Sequence, residues 1–84
     1  AQSHPLRGFR GIVVDDHESI RRPVIELLTR WGMTCVESGD ATDAANQMHI
    51  AHAAGEPFDV AIIDLMMRDR SGEDLITRIN SDLV

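Results

Sequence analysis

Twice in this chain a short apolar run stops against aspartate. Ile12-Val13-Val14 is followed by Asp15-Asp16, and Val60-Ala61-Ile62-Ile63 is followed by Asp64. Neither run alternates apolar with polar residues. A run of that kind reads as a strand covered on both faces, the situation of a strand inside a parallel sheet. Parallel strands cannot be joined by tight hairpins, so each needs a crossover, most often a helix. The sequence between the two runs supplies helical patterns where the crossovers must be.

Ile20, Val24, Leu27, Leu28 and Trp31 recur at i, i+4, i+7, i+8 and i+11, one face of an amphipathic helix that Gly32 stops. Pro23 requires that helix to begin near Glu18 or Ser19, because deeper in a helix proline costs about 3 kcal/mol. Met33 to Glu37 reads as a second strand and Ser38-Gly39 as a turn. Asp40 can cap a second helix, with Asp43 adding favourable charge at its N-terminus and Ala41, Ala44, Ala45 and Met48 on one face. That helix runs out near Ala53-Ala54-Gly55, and Glu56-Pro57 punctuates before a third strand, Phe58 to Ile63. Leu65 to Gly72 reads as a loop, and Glu73 to about Asn80 as a third helix carrying Leu75, Ile76 and Ile79. Residues 1–10, with Pro5, Gly8 and no periodicity, read as a lead-in or linker. The order β-α-β-α-β-α predicts an α/β domain with a parallel sheet, right-handed crossovers and helices on both faces.

Composition narrows the function. At 84 residues the chain holds one domain with one modest core. Fourteen acids against eight bases give a net charge of −6, which repels phosphate backbones and argues against direct contact with nucleic acid. All eight bases are arginine, so no lysine ammonium is available for chemistry within these residues. No apolar run approaches the ~20 residues a membrane span needs, and the first ten residues lack the apolar core of a signal peptide. Cys35 stands alone, excludes an internal disulfide, and fits a reducing compartment with the thiol packed as a small apolar group.

The two aspartate-terminated strands are expected to be neighbours, with Asp15, Asp16 and Asp64 converging at the carboxyl ends of the sheet, where open α/β sheets bind ligands. Three carboxylates so close raise one another's pKa, and a hard divalent cation relieves the conflict. Oxygen-only ligands with room for water suit Mg²⁺ or Mn²⁺ rather than zinc. A carboxylate beside such a cation can act as a nucleophile and accept a phosphoryl group. Any one strand-end aspartate is more commonly a turn or cap residue. The pair and the single aspartate, each closing an apolar strand, are harder to explain that way.

These residues resemble the receiver domain of two-component signalling proteins, which has a flavodoxin-like doubly wound fold. The likeness is carried by Ile12-Val13-Val14-Asp15-Asp16-His17 and by Asp64-Leu65-Met66-Met67-Arg68-Asp69-Arg70-Ser71-Gly72, with a Met three residues and a Gly eight residues after Asp64. It covers Arg10 through Asn80. Leu6-Arg7-Gly8, Trp31-Gly32-Met33 and Ala54-Gly55-Glu56-Pro57-Phe58-Asp59 look most like receivers fused to hybrid histidine kinases. The resemblance implies a sheet in the order 2-1-3, with residues 11–84 forming roughly the N-terminal two-thirds of such a domain. It implies that Asp64 is the phosphoacceptor, taking its phosphoryl group from a phosphohistidine on a histidine kinase or phosphotransfer domain. It implies Mg²⁺ as the cofactor, Mn²⁺ being an alternative, held by Asp15, Asp16, Asp64 and the main-chain carbonyl of Met66, with the Met66 side chain at the rim. A cytoplasmic location follows, either free or as the cytoplasmic part of a membrane-bound hybrid kinase.

Two departures stand out. Arg68 occupies the position after the Met where the family usually has proline; it restores an N–H and brings a guanidinium that could hold phosphoryl oxygens, although a solvated loop arginine is the plainer reading. The family also carries a Ser or Thr after a fourth strand and a Lys after a fifth. The chain stops at Val84 with neither, so part of the domain is expected to be missing, with an open third-strand edge that favours a homodimer. Two other functions remain open. One is a pseudo-receiver kept for protein contacts. The other is an aspartyl-nucleophile phosphohydrolase, although Asp15-Asp16-His17 lacks the two-apart aspartates such enzymes use. Smaller features have ordinary explanations: His49 and His52 on a solvated helix face, His17 and Asp69 as loop residues beside the acids, and Trp31 as an anchor at the core's edge.

Overall fold

The computed structural model describes residues 4–69 and 71–83; Arg70, quoted above, lies outside them. Three strands, β1 (Arg10–Val14), β2 (Thr34–Ser38) and β3 (Val60–Ile63), form one parallel sheet in the order β2-β1-β3. The helices are α1 (Glu18–Arg30), α2 (Ala41–Ala53) and α3 (Ser71–Arg78), and α3 runs on into a π-helical turn at Ile79–Leu83. This is the expected doubly wound α/β arrangement with the expected strand order.

The core lies between the sheet and the α2–α3 layer. Strand alternation points Ile12 and Val14 to this side, where they pack with Ala44, Ala45 and Met48 of α2, Leu75 of α3, and Met67. The alanines let α2 sit close to the sheet, and the two methionines fill the gaps that remain. Asp40 caps α2 as expected, its Oδ1 accepting the Asp43 N–H at 2.7 Å.

The other face of the sheet, with Val13, is covered by α1 and differs from expectation. Ile20, Leu27 and Trp31 are 56%, 43% and 43% exposed. The half-buried stripe is Arg21, Val24, Ile25 and Leu28, rotated from the apolar face read in the sequence. Periodicity identifies which side chains share a face, but not which part of that face meets the sheet. Pro23 is the sixth residue of α1 and leaves the Ser19 carbonyl without its helical donor, which is tolerable because Ser19 is exposed. Gly32 ends the helix at φ 101°, and a Cβ there would come within 3.1 Å of the Arg7 nitrogen.

The residues before β1 are tied to the sheet. Leu6 N–H donates to the Trp31 carbonyl, and Thr34 N–H donates to the Phe9 carbonyl. Arg10, read in the sequence as the last lead-in residue, is the first residue of β1. Its N–H donates to Asp59 Oδ2 at 2.8 Å, its carbonyl accepts the Asp59 N–H at 2.8 Å, and its guanidinium stacks over Phe58 at 5.5 Å. These contacts fix the start of β3 against β1 and so set the register for everything beyond. Val60 and Ile62 on β3 remain 37% and 39% exposed, and the outer edge of β3 pairs with no strand among the described residues.

Candidate functional site

Register alone brings the acids together. Val14 is paired with Ile63 in the β1–β3 ladder, so the next residues, Asp15 and Asp64, leave the sheet side by side. The ladder continues one step past the strands, with Asp64 N–H donating to the Val14 carbonyl at 2.9 Å and Asp15 N–H to the Ser38 carbonyl at 3.1 Å. Asp16 then turns the chain toward α1. Ligand atoms of Asp15, Asp16, His17 and Asp64 all lie within 4.8 Å of one another. The structure thus unites the three aspartates singled out in the sequence, and adds His17.

Each carboxylate is held differently. Asp15 is buried, and its Oδ1 accepts the His17 N–H at 2.8 Å. Asp64 Oδ1 accepts the Met66 N–H at 2.8 Å, closing a tight turn directly after the strand and leaving Oδ2 without a hydrogen bond among the described residues. Asp16 Oδ2 accepts the Arg68 N–H at 2.9 Å. Its other oxygen, Oδ1, lies 2.8 Å from His17 Nδ1, yet both atoms are buried without an aligned hydrogen bond. The two atoms are in contact but not aligned for a hydrogen bond, so the hydrogen-bonding capacity of both remains unused. A buried carboxylate oxygen with unused acceptor capacity, inside a group of three carboxylates, fits a hard divalent cation.

The supporting residues escaped the sequence reading. Arg21, with a side chain only 13% exposed, donates from Nη1 to the Asp15 carbonyl at 2.7 Å and from Nε to Glu37 Oε1 at 2.7 Å. Arg22 donates to Glu37 Oε2 at 2.9 Å. The Arg21 hydrogen bond is the main reason the Glu37 carboxyl sits below its ordinary pKa; partial desolvation opposes it and Arg22 adds to it. Arg21 therefore clamps the acidic loop to the end of β2. Gly72 supports the other loop. A Cβ there would lie 2.5 Å from the Asp64 carbonyl oxygen and 3.1 Å from Leu65 Cα, so α3 can rest directly on the Asp64 turn only without a side chain. The α3 N-terminus begins at Ser71, two residues earlier than expected. Asp69 Oδ1 accepts from both the N–H and the hydroxyl of Ser71, and those bonds lower the Asp69 pKa.

The remaining candidates fall as follows. Met66 is 84% exposed beside the cluster. The Arg68 side chain is 80% exposed, with Nε 3.9 Å from Asp16 Oδ2, so its main chain makes the closer contact. An open hollow of about 470 Å³ lies beside this loop, lined by Leu65, Met66, Met67, Arg68 and Glu73. His49 and His52 are exposed on α2 and belong to no cluster of metal-ligating side chains among the described residues.

An open parallel α/β sheet with convergent carboxylates at the β1/β3 switch point, where open sheets of this kind bind ligands, defines a flavodoxin-like protein. The family model described as the response regulator receiver domain matches residues 12–83, and the chain belongs to that family. Receiver domains work in two-component signal transduction as phosphoacceptors, opposite histidine kinases or phosphotransfer proteins. No solved structure matches the chain. No helix among the described residues is long and apolar enough to cross a membrane.

Proposed function

We propose that the protein accepts a phosphoryl group on Asp64 from a phosphohistidine of a histidine kinase or phosphotransfer domain, with Mg²⁺ held by Asp15, Asp16, Asp64 and the Met66 carbonyl. The observation that carries this reading is the meeting of the Asp15, Asp16 and Asp64 carboxylates at the end of β1, with one Asp64 oxygen already engaged and the other without a hydrogen bond among the described residues. Asp64 Oδ2 has an unshared pair and no competing donor among the described residues, so it is the attacking atom. Its bond to phosphorus forms as the P–N bond to the donor imidazole breaks, and the imidazole leaves with the bonding pair and takes up a proton. The Met66 N–H fixes the rotation of the Asp64 carboxylate, so Oδ2 faces the approaching phosphorus. Bound Mg²⁺ supplies neutralisation of the phosphoryl oxygens. Asp15 and Asp16 hold that charge in place and are themselves held by His17, Arg21 and Arg68 main-chain and side-chain donors. The free thiol of Cys35 and the family's signalling role support a cytoplasmic setting.

Incubation with acetyl phosphate and Mg²⁺, followed by intact-mass measurement, tests the reading. One added phosphoryl group, labile to hydroxylamine and absent from Asp64→Asn, is the expected result. No addition, or addition that persists in Asp64→Asn, overturns it; the former outcome is the one a pseudo-receiver gives.

A further inference from the structure

One contact at the site joins segments 52 residues apart and depends on main chain rather than on side-chain identity: Arg68 N–H to Asp16 Oδ2 at 2.9 Å. The guanidinium of the same residue points largely into solvent, 3.9 Å from that oxygen at Nε. Asp16 is thus tethered through Oδ2 while Oδ1 stays buried, 2.8 Å from His17 Nδ1 but without an aligned hydrogen bond. A carboxylate held by one oxygen loses rotational freedom before a ligand arrives, and the other oxygen is presented in a fixed direction. Any residue at position 68 can make this bond except proline, which has no N–H.

We propose that Arg68 is a positioning residue for the cation: its main-chain N–H holds Asp16 through Oδ2 and leaves Oδ1 for the cation, while its guanidinium, a like charge nearby, works against cation binding. The inference rests on the acidic cluster being the cation site. It separates two substitutions that would otherwise look alike. Arg68→Ala keeps the N–H and removes the opposing charge. Arg68→Pro removes both.

The test is a Mg²⁺ titration by isothermal calorimetry on wild type, Arg68→Ala and Arg68→Pro, with thermal melting in the absence of metal measured alongside. Arg68→Ala is expected to bind Mg²⁺ as tightly as wild type or a few-fold more tightly. Arg68→Pro is expected to bind roughly tenfold more weakly, as fits loss of one charge-assisted hydrogen bond. Equal affinity in the two variants overturns the inference, as does a loss in Arg68→Ala matching that in Arg68→Pro. A purely structural role lowers the melting temperature of Arg68→Pro and leaves the Mg²⁺ affinity of the folded protein unchanged. Wild type that binds no Mg²⁺ at the cluster removes the cation site itself, and the inference with it; wild type that binds while the variants do not differ removes only the inference. If Arg68→Pro does not fold, amide hydrogen exchange reads the same contact. Exchange at Arg68 is expected to speed up at least tenfold in Asp16→Ala, and unchanged exchange there overturns the proposal.

Discussion

Replacing Gly72 by alanine adds one methyl group where α3 meets the Asp64 turn. The new Cβ would stand 2.5 Å from the Asp64 carbonyl oxygen, 3.1 Å from Leu65 Cα and 3.3 Å from the Asp64 carbonyl carbon. All three neighbours are main-chain atoms, so no side chain can rotate aside. Restoring an ordinary contact of 3.4 Å to the oxygen needs about 0.9 Å of separation between the helix start and the turn. Overpacking of this kind costs about 1–3 kcal/mol, against a helix-propensity gain of at most about 1 kcal/mol for alanine over glycine. With the middle of the first range set against the full gain, the net destabilisation is about 1 kcal/mol, or a fall in Tm of roughly 4–8 °C for a domain of this size. The same shift moves the Asp64 carboxylate relative to Asp15 and Asp16, and a misplacement near 1 Å can slow a positioned reaction by about 10²-fold.

Gly39→Ala is the matched control, since the only atom a Cβ there would meet is Arg21 Nη1 at 3.6 Å, an ordinary contact with the end of a flexible side chain. It should change stability by no more than about 0.5 kcal/mol. Melting followed by circular dichroism, together with the initial rate of labelling by acetyl phosphate, reads both variants. If Gly72→Ala melts and labels like Gly39→Ala, the packing of α3 on the Asp64 turn is not what positions the Asp64 carboxylate.

The Glu37–Arg21 pair makes a pH-dependent contribution whose sign is fixed. The Glu37 carboxyl titrates below its ordinary value of 4.5 in the folded protein, so its stabilising effect is complete above that value and is lost as pH falls through the lower, folded pKa. The stability difference between wild type and Glu37→Gln, from urea unfolding, should be widest near neutral pH and close in acid; a constant difference from pH about 7 to about 3 refutes the pairing. At the other edge of the sheet, β3 leaves its outer backbone unpaired among the described residues, with Ile62 39% exposed. Sedimentation should show concentration-dependent self-association that Ile62→Lys weakens, since a charge blunts an open strand; a single monomeric species in the wild type at all concentrations refutes the expectation.

The parts of this architecture visible in the sequence were those governed by local rules. Ile12-Val13-Val14 had to be a buried strand, Asp40 had to cap, and two helical crossovers followed from the parallel sheet; Val60 to Ile63 is a strand as read, but it is largely exposed rather than covered on both faces, because no strand pairs with its outer edge among the described residues. The convergence of Asp15 and Asp64 was legible because adjacent parallel strands ending one residue before each acid leave those acids no other place. The part of α1 that meets the sheet was not legible. Ile20 and Ile25 are both apolar, and only tertiary packing decides that Ile25 turns in with Val24 and Leu28 while Ile20 stays out. Arg21 carried no sequence signal, because its partners, the Asp15 carbonyl just after β1 and Glu37 of β2, meet it only through the fold. The Asp69-x-Ser71 spacing was a usable sign of the earlier α3 start, since a carboxylate two residues ahead of a serine can take both its N–H and its hydroxyl.

The two loops that build the site are stabilised in opposite ways, and this bears on how the phosphoryl group proposed for Asp64 would be sensed. The β1–α1 loop is anchored from outside by a charged clamp, Arg21 to the Asp15 carbonyl and to Glu37. The β3–α3 loop is anchored by close packing at Gly72 and by hydrogen bonds within and across the site, Met66 N–H to Asp64 and Arg68 N–H to Asp16. A phosphoryl group on Asp64 would add charge at the group that Met66 already holds, and a cation drawn to the cluster would load Asp16, whose Oδ2 Arg68 holds. Both changes act on the β3–α3 loop, and neither requires the Arg21 clamp to move. The segment that responds to phosphorylation should therefore be Leu65 through Arg68, with its exposed Met66 and the hollow beside it, while Asp15 and α1 stay fixed as the frame.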